Sequence, residues 1–174
     1  MSGHWGENEI RALLDKGIVK GDNSGSLRLK DTVTRAEFIS LLLRAMGEKV
    51  EPYAGEFADI TANDWYAGEF AAAKKLGIVN GFDDNTARPN EVINREQMAK
   101  LLVEACEKNT QQGTAMSYND MEQVSEWAKP YVYKATDLGL LQGDDRGCIR
   151  PKDSVMREQA FIVAYRLLNM INSD

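Results

Sequence analysis

Three copies of one sequence pattern run through this chain of 174 residues. Each copy holds a tryptophan, two glycines and an arginine, at identical spacings in all three copies. The repeated residues are the tryptophans Trp5, Trp65 and Trp127, the first glycines Gly17, Gly77 and Gly139, the second glycines Gly21, Gly81 and Gly143, and the arginines Arg35, Arg95 and Arg157. A unit of this size cannot bury a core alone, so the three copies must pack against one another.

Each copy is predicted to form a helix, a long loop and a second helix. After the arginine of the first copy, apolar residues recur with the period of one helix face, from Phe38 to Met46. The other two copies keep this face, and Cys106 takes the place of Met46, which predicts a small buried side chain. The first helix of each copy is expected to begin near the tryptophan and to end at the first glycine.

The second helices have recognisable starts. Thr34 and Glu37 predict a capping box, in which each side chain accepts a hydrogen bond from a backbone N–H group. Asn94 and Gln97 repeat this arrangement in the second copy. Met156 cannot cap, so the third copy must satisfy its first-turn donors in another way.

These elements predict a mainly α fold, with three helix-loop-helix repeats packed as a pseudo-threefold bundle. The loop inside each unit is longer than the loops of helical solenoids, which favours closure over an open superhelix. The predicted repeats cover residues 1–48, 57–108 and 118–170, and the polar linkers cover 49–56 and 109–117.

Charge and hydropathy exclude several classes of partner. The chain has 21 Lys and Arg residues against 27 Asp and Glu residues, a net charge of −6, which argues against binding nucleic acid or an anionic membrane surface. No apolar run is long enough for a membrane span, so we expect no membrane insertion. The first 30 residues lack an unbroken apolar core, so we expect no secretory signal within this sequence.

Motifs for catalysis or metal binding are missing from the sequence. His4 is the single histidine, Cys106 and Cys148 do not form a CxxC pair, and neither a phosphate-binding glycine loop nor HExxH occurs. The acidic residues of the loops do not match the EF-hand pattern. We therefore predict no enzyme activity, no cofactor and no metal site.

The composite pattern resembles the S-layer homology family. The residues that carry the resemblance are Phe57-Ala58-Asp59 before Trp65, Tyr118-Asn119-Asp120 before Trp127, the Gly-Ile-Val-x-Gly stretches, and Thr34-Arg35-Ala36-Glu37. The first copy lacks the Phe-x-Asp segment and begins close to Met1. We interpret this as an imposed boundary of the chain, with a natural start as the alternative.

The resemblance implies a non-catalytic module that anchors an exported bacterial surface protein at the cell wall or S-layer. It implies binding of a secondary cell-wall polysaccharide, commonly with pyruvylated amino sugars, in grooves between neighbouring repeats. The residues carried over to these grooves are Arg35, Arg95, Arg157, Asp59, Asp120, Trp5, Trp65, Trp127, Gly21, Gly81 and Gly143.

Physical chemistry supports these roles and adds expectations. An arginine in the first turn lies beside free N–H groups and the positive end of the helix dipole, which favours a carboxylate. We expect Arg35, Asp59 and Trp65 to form the best site, and Glu96 and Glu158 to weaken carboxylate binding by the other arginines. Three alternatives remain: the tryptophans are core, the arginines pair with acids, or the repeats form a protein interaction or oligomerisation module.

Overall fold

A computed structural model describes residues 3–106 and 117–173, which form six α-helices and no β-strand. The first helices of the repeats are α1 (Glu7–Asp15), α3 (Ala67–Lys75) and α5 (Lys129–Asp137). The second helices are α2 (Arg35–Met46), α4 (Arg95–Cys106) and α6 (Arg157–Ile171). The mainly α fold with three helix-loop-helix repeats is confirmed. The predicted linker 109–117 lies outside the described residues except for its last position.

Each second helix packs against the first helix of the following repeat. Helix α2 contacts α3, α4 contacts α5, and α6 contacts α1. The last pair joins the first and third repeats, so the arrangement closes on itself as predicted. Ile10 and Leu13 of α1 have no exposed surface and belong to one core shared by all three repeats.

A ring of three backbone hydrogen bonds marks the pseudo-threefold axis. The N–H of Val33 donates to the carbonyl of Val155 (2.9 Å), the N–H of Val155 to that of Ile93 (2.9 Å), and the N–H of Ile93 to that of Val33 (3.2 Å). These residues directly precede the second-helix starts, and their side chains are buried. The ring therefore fixes the starts of all three second helices relative to one another.

The predicted capping boxes are confirmed. Thr34 Oγ1 accepts from the N–H of Glu37 (3.3 Å), whose carboxylate accepts from the N–H of Thr34 (2.8 Å). Asn94 and Gln97 form the same two bonds at 2.9 and 3.0 Å.

The expectation of free N–H groups in the first turn is wrong. Arg35 N–H donates to the carbonyl of Glu91, and Ala36 N–H to that of Pro89, both at 2.8 Å. The equivalent bonds run from Arg95 to Asp153, Glu96 to Pro151, Arg157 to Asp31, and Glu158 to Leu29. The neighbouring repeat therefore satisfies the N–H groups of the first two residues of each second helix. The third residue's N–H, which Thr34 and Asn94 cap in the other copies, receives no side-chain bond from Met156. The start of each second helix is therefore hydrogen-bonded to a neighbouring repeat. The N–H groups that make these bonds are not available to bind an anion.

The first helices end where the glycines predict. Gly17, Gly77 and Gly139 follow α1, α3 and α5 with φ between 68° and 79°, the left-handed conformation that closes a helix. None of the helices in the described residues is both long enough and apolar enough to cross a membrane.

Candidate functional site

Within the described residues, three equivalent grooves lie one beside each second helix, and each is lined by all three repeats. We number them by the repeat that supplies the loop and the second helix. The tryptophan of each groove comes from the following repeat, whose first helix packs on that second helix. The arginine comes from the preceding repeat, whose helix start is bonded to the loop.

The three grooves differ in size and charge. They are groove 1 with Trp65 and Arg157 (about 220 Å³), groove 2 with Trp127 and Arg35 (about 190 Å³), and groove 3 with Trp5 and Arg95 (about 530 Å³). The lining of groove 1 includes Glu37, and that of groove 3 includes Asp144, Asp145 and Asp153. Among the described residues that line groove 2, none carries a carboxylate.

The tryptophans lie at the surface. Trp5, Trp65 and Trp127 expose 62%, 58% and 48% of their surface, so the alternative of a core role is excluded. Burying an aromatic side chain is strongly favourable, and a well-packed module rarely leaves three indoles in water. All three indole rings are therefore accessible from solvent beside the grooves.

The three arginines use their guanidinium groups differently. Arg95 Nε and Nη2 donate to the carbonyls of Ile149 (2.6 Å) and Gln142 (2.9 Å). Arg157 Nε donates to the carbonyl of Leu27 (3.0 Å), and its Nη1 lies 3.2 Å from the carboxylate of Glu37. The alternative that an arginine pairs with an acid therefore applies to Arg157.

Arg35 stands apart from the other two. Its Nε is buried, and no acceptor for it exists among residues 3–106 and 117–173. Its guanidinium carbon lies 5.4 Å from the ring centre of Phe82. Burial lowers the pKa of Arg35; the charge of Glu91 acts in the opposite direction, and that of Arg88 adds to the lowering. Arg35 nevertheless stays protonated at neutral pH, because an arginine titrates far above it.

The two aspartates hold the loops. Each carboxylate accepts two backbone N–H bonds, Asp59 from Ala87 and Arg88 and Asp120 from Ile149 and Arg150, at 2.7 to 2.8 Å. Arg88 and Arg150 have φ values of 51° and 52°, a region that non-glycine residues rarely adopt. The carboxylates thus stabilise a strained loop backbone, and neither aspartate is among the groove-lining residues.

The loop glycines are required by close packing within the protein. A Cβ at Gly143 would lie 2.7 Å from the ring of Tyr118, and one at Gly81 would lie 2.9 Å from the ring of Phe57. At Gly21 it would lie 2.6 Å from backbone atoms of its own loop. Gly81 also has a φ of 90°, whereas the φ values of Gly21 and Gly143 are not positive. The loop of groove 2 therefore differs in conformation from the other two.

Glu96 and Glu158 are not placed to weaken the arginines. The carboxylate of Glu96 lies 2.6 Å from Lys152 Nζ and accepts bonds from Ser125. That of Glu158 lies 2.9 Å from both Lys30 Nζ and His4 Nε2. Both carboxylates are buried and paired with lysines, so the physical basis of the expected weakening is absent.

The expected site of Arg35, Asp59 and Trp65 is wrong. Arg35 lies in groove 2 with Trp127, while Trp65 borders groove 1 with Arg157. The sequence pattern identifies the equivalent positions but does not show in which direction each repeat contacts its neighbours. Each groove is lined by residues of three repeats, whereas the expected site took its residues from only two.

Several groove residues were not predicted from the sequence. Phe82 lines groove 2, and it stands at the loop position that holds Asp22 and Asp144 in the other copies. Second-helix cations also line the grooves: Arg44 in groove 1, Lys100 in groove 2 and Arg166 in groove 3. These cations stand five or nine residues after the motif arginine of their own helix, which places them about 140° or 180° around the helix from it. Each therefore lines a different groove from that arginine, and the spacing gave no signal for their place.

The fold and its grooves define a closed module of three helix-loop-helix repeats. Three segments of the chain, residues 1–39, 56–99 and 117–161, match the S-layer homology domain. The chain belongs to the S-layer homology domain family.

Relatives of the chain include both enzymes and S-layer proteins. It is 37% identical over 169 residues to an amylopullulanase of Thermoanaerobacterium thermosulfurigenes, covering 95% of this chain and 9% of the relative. It is 36% identical over 174 residues to exoglucanase XynX of Acetivibrio thermocellus, covering 98% and 16%. It is 33% identical over 160 residues to the S-layer protein sap of Bacillus anthracis, covering 90% and 19%. The chain thus spans less than a fifth of each of these proteins.

Proposed function

We propose that this module anchors an exported bacterial surface protein to the cell wall without a covalent bond. It binds a secondary cell-wall polysaccharide, pyruvylated on its sugars, in the grooves between repeats. The observation that carries the proposal is the exposed tryptophan beside an arginine in each of the three grooves.

Each groove offers the two kinds of contact that an acidic sugar needs. The indole has an apolar face that can stack on the C–H face of a sugar ring, and its N–H can donate to a hydroxyl. The guanidinium can bind a carboxylate, and a hydrogen bond to a charged group contributes about 1.5–3 kcal/mol. One groove alone therefore gives modest affinity.

Repetition compensates for weak individual grooves. A polymer held in one groove raises the effective concentration of its other units at the remaining grooves, so retention rises by orders of magnitude without a new type of contact. This suits an anchor, which must stay on the wall for a long time but needs no strong single site.

The carried-over residues divide into two roles in this proposal. The arginines and tryptophans contact the polymer. The loop glycines and the aspartates Asp59 and Asp120 set the shape of the loops, since their contacts are with the protein.

The relatives support attachment as the shared role. Some are named as S-layer proteins and others as enzymes, and the segment they share with this chain is a small part of each. Catalysis is not named for both groups, whereas attachment to the wall would serve an enzyme and an S-layer protein alike. We therefore propose that the protein acts outside the cell, at the wall.

Cosedimentation with isolated walls of the source organism tests the proposal. The protein should sediment with native walls and stay in solution with walls from which the secondary polysaccharide has been chemically removed. Equal sedimentation with both preparations would overturn the proposal. The alternative, an oligomerisation module, predicts a concentration-dependent dimer whose size by analytical ultracentrifugation does not respond to wall fragments.

A further inference from the structure

The loops beside grooves 1, 2 and 3 differ at one position, which holds Asp22, Phe82 and Asp144. Phe82 and Asp144 line their grooves, whereas Asp22 is not among the residues that line groove 1. Asp22 Oδ1 accepts bonds from the N–H groups of Ser24 and Ser26 at 2.9 and 3.1 Å. Asp144 Oδ1 accepts in the same way from two N–H groups of its loop, both at 3.0 Å. Phe82 places a ring where the other loops place a negative charge.

The Phe82 ring lies between groups of positive charge. The guanidinium carbons of Arg88 and Arg35 lie 3.9 and 5.4 Å from its centre. Arg88 has one weak ion pair, with Asp84 at 3.4 Å, whereas its counterpart Arg150 lies 2.7 Å from Asp144. An aromatic face stabilises a nearby cation without neutralising it. The positive charge around groove 2 is therefore less compensated than in groove 3.

Arg35 also differs from the other two motif arginines in its hydrogen bonds within the described residues. Arg95 and Arg157 each donate two hydrogen bonds to protein acceptors, whereas the buried Nε of Arg35 has no acceptor within the described residues. A buried polar donor without a partner is costly, and a donor on a charged group is costlier. Arg35 lines groove 2, and no described residue of that lining carries a carboxylate, so a carboxylate bound in the groove would meet an uncompensated guanidinium charge.

The other residues that line groove 2 indicate which chemical groups of the ligand lie next to the carboxylate. Lys100 provides a second cation, and Ile78, Phe82, Leu101 and Trp127 provide apolar surface around the guanidinium. Glu91 is the acid whose charge acts on Arg35, and its side chain is exposed to solvent. This combination fits a carboxylate whose carbon neighbour bears a small apolar group.

We propose that groove 2 is the groove that binds the anionic substituent of the polymer, and that Phe82 makes it so. The substituent is a carboxylate beside a methyl group on a saturated carbon, as in a pyruvyl ketal. Grooves 1 and 3, in which an acid or a carbonyl already holds the arginine, bind uncharged parts of the same chain. This inference rests on the proposed binding of a wall polysaccharide.

The three tryptophans allow each groove to be observed separately. Protein labelled with fluorotryptophan should give three fluorine NMR resonances, one per groove, which single Trp→Phe variants assign. The probe is the pyruvyl ketal of a methyl hexoside, and its methyl ester is the uncharged control. Titration with the acid should shift the Trp127 resonance to saturation, and the ester should bind about tenfold or more weakly, because it cannot pair with Arg35.

Two variants test the role of Phe82. Phe82→Asp, which gives the loop of groove 2 the acid that the other two loops carry at this position, should weaken binding of the acid probe about tenfold or more. Phe82→Leu, which keeps the position uncharged, should bind the acid more tightly than Phe82→Asp does. Thermal melting of both variants identifies any loss of fold.

Three outcomes would overturn the inference: a shift of Trp5 or Trp65 instead of Trp127, equal binding of the acid and the ester, or unchanged binding by a folded Phe82→Asp variant. Retention on native walls is measured in parallel with wild-type protein. If the protein is retained on walls but the probe does not select groove 2, this inference fails and the proposed function stands. If the protein is not retained, the proposed function fails whatever the probe shows.

Discussion

At the scale of single residues, three arginines that are equivalent in sequence have different partners. The guanidinium groups of Arg157 and Arg95 donate to protein acceptors, whereas the buried Nε of Arg35 has no acceptor in the part of the chain that the structure describes. The repeated motif was sufficient to identify all three positions. It could not distinguish them, because their acceptors belong to loops of other repeats.

This difference predicts that replacement by glutamine affects wall binding at Arg35 and folding stability at Arg157. Arg35→Gln should leave the free energy of unfolding nearly unchanged and reduce retention on native walls. Arg157→Gln should lower the free energy of unfolding by about 1–3 kcal/mol, because it removes bonds to Leu27 and Glu37. Urea unfolding and wall cosedimentation measure the two effects. A large loss of stability in Arg35→Gln would contradict the account.

The two aspartates give a second prediction at this scale. Asp120 is buried and Asp59 is exposed, although both accept two N–H bonds. Asp120→Ala should cost about 2–4 kcal/mol of unfolding free energy, since it leaves buried donors without partners, and Asp59→Ala should cost less. Urea unfolding of both variants is the measurement. If Asp120→Ala lost wall binding with unchanged stability, the carboxylate would be a ligand contact instead.

At the scale of helices, local signals predicted local structure well. The capping residues Thr34 and Asn94 and the helix-ending glycines act within a few residues of chain, so the sequence shows both partners at once. The first-turn donors and the carboxylates of Glu96 and Glu158 were misjudged, because their partners lie in another repeat.

The start of α6 predicts a specific dependence of stability on pH. Burial favours a raised pKa for Glu158, but hydrogen bonds and charge from His4 and Lys30 outweigh it and bring the pKa below its ordinary value of 4.5. A lowered folded-state pKa stabilises the fold above pH 4.5, and this contribution is lost as the pH falls through the folded-state value. Glu158→Gln should therefore be less stable than wild type at neutral pH.

The difference in unfolding free energy between Glu158→Gln and wild type should shrink as the pH falls below 4.5. Urea unfolding at a series of pH values measures it. Glu122→Gln is a matched control, because Glu122 is exposed, and it should show little difference at any pH. A Glu158→Gln difference that stayed constant with pH would contradict the ion-pair assignment.

At the scale of the whole molecule, the sequence predicted closure of three repeats but not the composition of the grooves. Closure follows from the small size of each repeat and the shared apolar face. The groove composition depends on the order in which repeats meet around the axis, which the ring of Val33, Ile93 and Val155 fixes. A net charge of −6 remains compatible with the proposed acidic polymer, because cations line all three grooves and no described residue in the lining of groove 2 is an acid.

The central claim is that the exposed tryptophans hold the module on the wall polysaccharide. The variant with Trp5→Ala, Trp65→Ala and Trp127→Ala tests it most directly, by cosedimentation with native walls beside a thermal melt. Val50→Ala is the control, because Val50 is 60% exposed and lines none of the three grooves. The account predicts that the triple variant keeps a cooperative melt near that of wild type and is no longer retained, whereas Val50→Ala is retained. A folded triple variant that sedimented with walls as wild type does would contradict it.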